Sequence, residues 1–372
     1  PYYTVRLDFS HLPLAMKSCE MSYSPYDRAG NFTRAVFFVV LATSPWAVAA
    51  TLGWADSPVQ DAKIEISQEK ISQEADQTKK ITSDKPEEPR AADGQQRVRL
   101  EKDQRFSEQT GKAGLCDVYF PASDPPVAGY PVVVVIHGGG WVSGDKWTIA
   151  SYSRLLAKEG IVAVAINYRL APNHKFPAQV DDVRSAMLWV NQNAKRLRLN
   201  VRQVGLFGYS AGGHLSALLA SLADEPLVVR AAASNWPISD PRWQKLPKIC
   251  AVCAGGPPCD FRSLPIDNSA MAYFLGGSRR EKPEAYIAAS PAAHVSVDDP
   301  VTQLFHGEGD ALVPLAGTRQ FHESQVSAGI DSRLAVIPKQ GHMLTFISPK
   351  TYQTVVDFFR EVLLKPVVVS PK

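Results

Sequence analysis

A chain of 372 residues that is 45% hydrophobic and 21% charged can bury a substantial core and is long enough for one large domain or two ordinary ones. Its formal net charge of +3 is small for that size and no dense Lys/Arg block appears, which removes the electrostatic case for nucleic acid. Its five cysteines (Cys19, Cys116, Cys250, Cys253 and Cys259) are too few for a disulfide scaffold, and Cys250-x-x-Cys253 lacks a second pair at zinc spacing; a local disulfide among the last three and three buried thiols both stay open.

In chain order, residues 1–30 show no clear periodicity and the sequence does not begin with methionine, Met16 and Met21 being candidate starts. Residues 35–55 are uncharged and mostly apolar, follow Arg28 and Arg34, contain Pro45 and end in small residues such as Ala47 and Ala49. That order is expected of a secretory signal peptide. The stretch is also just long enough to span a bilayer, so an uncleaved anchor is the second reading and a buried core helix the third. Export to the outside, the periplasm or the cell envelope is the expectation, with membrane contact only if the stretch is an anchor. Residues 56–96 turn to Gln, Glu, Lys, Asp, Ser and Pro, with Ile-Ser-Gln-Glu at 66–69 and again at 71–74. Apolar residues are too sparse there to offset the entropy of ordering, so a polar flexible linker is expected.

A folded domain is expected over 97–366. Residues 97–106 and 115–120 have β-rich or alternating content around a Gly111–Gly114 turn, which predicts an antiparallel pair. Val132-Val133-Val134-Val135-Ile136 is a run of β-branched residues without alternation, the mark of a strand buried on both faces of a parallel sheet. Further strand-length apolar runs lie at 161–166, 204–207, 249–254, 301–305 and 334–337. Helical patterns lie at 147–159, 181–194, 211–222, 315–328 and 350–363. Alternating strands and helices of this kind predict an α/β fold: a mostly parallel central sheet, helices on both faces, and functional loops at the carboxyl ends of the strands. Extra turns and short apolar pieces over 235–296 suggest a small cap insertion.

Three loops at predicted strand ends carry the chemistry. Gly208-Tyr209-Ser210-Ala211-Gly212 is G-x-S-x-G at a strand-to-helix junction, which pushes a serine out on a tight bend. His306-Gly307-Glu308-Gly309-Asp310 follows another strand, and Gly341-His342 follows the last. Serine is a weak nucleophile that needs a base, and the base needs a carboxylate to hold its tautomer and stabilise its cation. Ser210, His342 and Asp310 supply those three groups. His137-Gly138-Gly139-Gly140-Trp141 follows the first central strand, and a glycine run lets backbone N–H groups converge on an oxyanion. The spacing of a nucleotide-binding loop is absent. No metal or organic cofactor is expected. His214 reads as a helix-packing residue, Tyr168, Arg169, Asp181 and Asp182 as structural supports, and Trp141 as either pocket lining or plain core.

From about Leu115 to His342 the chain resembles an α/β-hydrolase of the esterase/lipase type, similar to hormone-sensitive-lipase-like enzymes and to carbohydrate-esterase and kynurenine-formamidase-like relatives. The residues that carry the resemblance are His137–Trp141, Asn167–Pro172 with Phe176-Pro177 and Asp181-Asp182, Gly208–Gly213, His306-Gly-x-x-Asp310 with Val313-Pro314, and Gly341-His342. The resemblance implies Ser210 as nucleophile, His342 as general base and acid, Asp310 as its orienter, and an oxyanion hole from the amides of Gly139, Gly140 and Ala211. Tyr209 stands where the hormone-sensitive-lipase-like group usually has an acid, which points toward the carbohydrate-esterase-like relatives. The implied activity is hydrolysis of carboxylic esters, either short-chain or acetyl and feruloyl groups on carbohydrate, with a small-molecule or carbohydrate ester as partner. An amidase, formamidase or peptidase of the same fold is the alternative, and a non-catalytic binding module comes from a different class. Substrate preference is expected to reside in Tyr209 and 235–296; oligomeric state has no signal in the sequence.

Overall fold

Val132–Ile136 form the centre of a strand, Tyr130–Ile136, with every residue buried. Burying each such aliphatic side chain contributes about 1.5–3 kcal/mol relative to exposure. The computed structural model describes residues 3–6, 20–23, 98–108 and 111–364. The chain divides into a unit of Pro1–Pro89 and one of Arg90–Lys372. In the first, Tyr3–Arg6 pairs antiparallel with Glu20–Tyr23, Tyr3 opposite Tyr23, in a region where no periodicity was apparent. The apolar stretch 35–55 and the linker 56–96 lie outside the described residues. No helix among the described residues is long and apolar enough to cross a membrane.

The second unit is built on eight strands: β1 Arg99–Arg105, β2 Leu115–Phe120, β3 Tyr130–Ile136, β4 Val162–Ile166, β5 Leu199–Tyr209, β6 Ile249–Gly255, β7 Val301–Gly307 and β8 Ser332–Ile337. Their order across the sheet is β8-β7-β6-β5-β3-β4-β2-β1. Strands β3 to β8 pair in parallel, while β2 runs antiparallel to both β4 and β1. The main helices are α1 Ala150–Lys158, α2 Ala178–Gln192, α3 Ala211–Ser221, α4 Leu315–Ser327 and α5 Pro349–Phe359.

Strand periodicity sorts the core into two layers. Val132, Val134 and Ile136 point to one face and pack with Val180 and Val183 of α2 and with Leu215 and Leu218 of α3. Val133 and Val135 point to the other and pack with Tyr152 and Leu156 of α1 and Val355 and Phe359 of α5. Both faces are therefore covered, as the unbroken apolar run requires. Strand order reverses about β3, which has β4 on one side and β5 on the other. In open α/β sheets a crevice forms at the carboxyl ends of the strands at such a point.

The predicted insertion at 235–296 is not one piece. Strand β6 runs through its middle. Before β6, Trp236 and Trp243 pack on Leu188 of α2. After β6, the short turns Ala272–Leu275 and Pro283–Ala288 reach the carboxyl edge of the sheet. The described cysteines Cys116, Cys250, Cys253 and Cys259 are free thiols, so the disulfide alternative is closed for the last three.

Helix α3 approaches the sheet too closely for ordinary side chains. A Cβ on Gly212 would lie 2.1 Å from the Ile136 carbonyl oxygen, and one on Gly208 would lie 2.2 Å from that of Gly212. Both obstacles are backbone, which cannot swing aside. Gly212→Ala is therefore expected to lower stability by at least about 3 kcal/mol, the upper range for overpacking, measured as a fall in the denaturant midpoint at unchanged slope.

Candidate active site

The close approach of α3 forces the turn before it. Ser210 sits between β5 and α3 at φ 56° and ψ −120°, in the left-handed range where a side chain costs on the order of 1–3 kcal/mol. Its amide donates to Gly255 O at 2.7 Å and its carbonyl accepts from His214 N at 2.8 Å. Among the described residues its hydroxyl makes no hydrogen bond. The side chain is half-buried and is presented at the carboxyl edge of the sheet.

Asp310 lies in the loop after β7, and His342 opens the short helix His342–Phe346 after β8. His342 Nδ1 donates to Asp310 Oδ2 at 2.6 Å, which leaves its Nε2 free to accept a proton. Asp310 Oδ1 accepts from the amides of Leu312 at 3.0 Å and Val313 at 2.9 Å. Burial pushes the Asp310 carboxyl upward, yet hydrogen bonds from His306, His342 and the Val313 amide outweigh it and hold the group well below the ordinary carboxylate range. It is an anion at neutral pH. Ser210 and His342 both approach the end of β6: the amide of Ser210 is bonded to Gly255, and a Cβ on the next residue, Gly256, would lie 3.1 Å from His342 Cε1.

The glycine loop after β3 faces the same point, since a Cβ on Gly138 would lie 3.3 Å from Ser210 Cβ. Gly139 takes φ 114°, where its carbonyl accepts from the amides of Val142 at 3.1 Å and Ser143 at 3.0 Å. The amides of Gly139 and Gly140 donate to no acceptor among the described residues. Ala211, as the first residue of α3, has no intrahelical acceptor for its own. These three N–H groups are left for an acceptor outside the chain.

The supports read from sequence are where expected. Tyr168 Oη donates to His137 O at 3.0 Å and stacks on the His137 ring at 4.2 Å. Burial pushes His137 down to about 4, so it is a neutral prop. Arg169 pairs with Asp182 at 2.8 Å, and Asp181 accepts from the Asn235 amide at 2.8 Å. His214 is fully buried, pushed by burial to about 4, and donates from Nε2 to Ala289 O at 2.7 Å. Its Nδ1 accepts from Trp141 Nε1 at 3.3 Å, which makes it a packing residue and no second base.

One expectation changes and one open alternative closes. Tyr209 is 4% exposed and its hydroxyl donates to His342 O at 2.5 Å, so it fixes the histidine loop and does not face substrate. Trp141 is also buried, stacked on Phe274 at 4.3 Å, and belongs to the core. Sequence reading assigned no role to Tyr273, whose hydroxyl donates to Gly140 O at 3.2 Å, or to His306. Tyr273 is 133 residues from its partner and gives no local signal, whereas His306 stands at a strand end four residues before Asp310 and could have been suspected.

This sheet order, with a serine elbow after β5, a carboxylate after β7, an imidazole after β8 and a glycine loop after β3, defines an α/β-hydrolase. The chain belongs to the BD-FAE family, whose model matches residues 116–324, more than half of its length. It is 31% identical over 220 residues to Esterase LipC of Mycobacterium tuberculosis, a match covering 57% of this chain and 52% of that protein. Carboxylesterase NlhH of the same organism is 40% identical over 124 residues, 32% of this chain and 39% of NlhH. The chain thus spans about half or less of these curated relatives. Among solved structures it is similar to a truncated carbohydrate esterase from gut microbiota, with a TM-score of 0.63 at 23% identity over 72% of this chain and 97% of that one. It is also similar to the esterase Est2 of Thermogutta terrifontis, with a TM-score of 0.57 at 24% identity over 74% and 94% of the two chains. At such identities the likeness is one of fold.

Proposed function

We propose that the protein is a serine hydrolase of carboxylic esters that works through an acyl-enzyme. The observation that carries this reading is the His342–Asp310 hydrogen bond at the mouth of the strained Ser210 turn. Ser210 Oγ attacks the ester carbonyl carbon while His342 Nε2 takes its proton, and Asp310 stabilises the resulting imidazolium. The amides of Ala211, Gly139 and Gly140 bind the oxyanion. Collapse expels the alcohol, which takes the proton from His342; water then attacks the acyl-enzyme by the same route in reverse. Relatives named as esterases support ester chemistry.

The substrates proposed are short-chain esters or acetyl and feruloyl groups on carbohydrate. Support comes from exposed residues beside the candidate site: Gly139 is exposed, and Leu312 and Met343, close in sequence to Asp310 and His342, are 71% and 60% exposed. A site edged by exposed residues can admit a group carried on a large molecule. The basic-flanked apolar stretch 35–55 supports export to where such molecules occur. The test is labelling by a fluorophosphonate probe, followed by turnover of p-nitrophenyl esters of rising chain length beside acetylated xylan and methyl ferulate. Labelling of Ser210 with turnover of acetyl or feruloyl esters is the expected result. Absence of labelling would sink the serine mechanism; turnover confined to long acyl chains would sink the substrate assignment alone.

A further inference from the structure

Asp310 serves two imidazoles. His306, the sixth residue of β7, is fully buried, and its Nε2 lies 3.2 Å from Asp310 Oδ2, the same oxygen that accepts from His342. Nε2 also lies 2.8 Å from Val313 O. Neither neighbour carries a proton, so Nε2 carries one; it is bonded to Val313 O, with Asp310 Oδ2 as the longer second contact. On the other side of the ring, Nδ1 lies 2.9 Å from Thr318 Oγ1, and that hydroxyl is 3.2 Å from Pro257 O. The ring is thus pinned at both nitrogens by α4 and by the Asp310 loop.

We propose that His306 is a positioning residue that acts on His342 through Asp310 Oδ2; this rests on the serine-hydrolase reading above. With Oδ1 held by two backbone amides and Oδ2 by two imidazoles, the carboxylate cannot turn, and its lone pair stays aimed at His342 Nδ1. The second donor also draws on the charge of Oδ2, so His342 receives less of it than from a carboxylate bonded to one imidazole. Removing His306 leaves a carboxylate that turns more freely but stabilises the His342 cation more strongly. The first effect lowers turnover; the second moves the acid limb of the pH–rate profile to higher pH, because the base then stays protonated further up the scale. Among the described residues Tyr209 from β5 also faces this pair, its ring centroid lying 5.0 Å from that of His342. Burial raises its hydroxyl far above the ordinary range, so it stays neutral across the profile.

The experiment compares the full chain with His306→Phe, which keeps a ring and removes the donor, and with His306→Gln, whose amide can donate to Oδ2. Rates are normalised to sites labelled by fluorophosphonate, so loss of folded protein does not enter. For His306→Phe, kcat is expected to fall about tenfold, the worth of one hydrogen bond to a charged group, with KM nearly unchanged. The acid limb is expected to move to higher pH, and His306→Gln to restore it. Thr318→Val, a nearly isosteric change that frees Nδ1, is expected to move the limb the same way by less, and serves if the Phe variant does not fold. An unmoved limb and parent kcat in every variant that folds overturns the proposal. A parent protein that does not label at all fails the hydrolase reading and this one with it.

Discussion

Ser210→Ala is expected to fold as the parent does and to lose at least about a thousandfold in turnover, by comparison with single removals of the nucleophile in other serine hydrolases. The fold should be indifferent because the hydroxyl makes no hydrogen bond among the described residues. The strained backbone that presents it is imposed by Gly208 and Gly212, which the substitution leaves in place. Alanine at φ 56° costs about what serine does. Matching melting curves for the two proteins, with hydrolysis of p-nitrophenyl acetate reduced to a small residue, would meet the expectation. Turnover at the parent rate would remove Ser210 from the mechanism.

Asp310→Asn is the second large effect, a fall in kcat of about ten-thousandfold by analogy with the same change in a trypsin-like triad. Every lone pair of this carboxylate faces a donor: two backbone amides at Oδ1, and His342 with His306 at Oδ2. An asparagine must place an NH₂ against one of those pairs. Turned toward the amides, it sets donor against donor in a buried site. Turned toward His342, it forces the ring into the tautomer that carries its proton on Nε2, and that nitrogen can no longer accept from serine. Loss of rate with KM held near the parent value checks this. A fall below about a hundredfold would mean that the carboxylate does not set the tautomer.

Much of the fold was readable because its central strands are buried on both faces. Val132–Ile136 needs no partner to be recognised, and β6, β7 and β8 show as apolar runs of strand length. The three side chains of the candidate site could be proposed from sequence for a related reason: each lies within a few residues of a strand end, where glycine marks the turn. What stayed hidden depends on distant contacts. Helix α2 starts three residues before its predicted position, at Ala178, and β5 starts at Leu199, before a register shift at Val204 that no period encodes. Tyr209 was tied to substrate preference because it stands where the hormone-sensitive-lipase-like group usually has an acid. Strand alternation sends its side chain under His342. The turns Leu227–Ala232 and Pro283–Ala288 are too short for amphipathic spacing to show.

The segment after β6 has a bearing on how the enzyme could be altered. Tyr273 holds the carbonyl of Gly140, Phe274 stacks on Trp141, and Ala289 anchors His214, which in turn holds Trp141. Grafting this segment from a relative to change preference would disturb the amides proposed to receive the developing charge, so on that proposal selectivity and speed are not separable there. The exposed side chains Leu312, Met343 and Leu344 carry no such attachment. Libraries confined to those positions can explore new esters while the inner scaffold stays as it is.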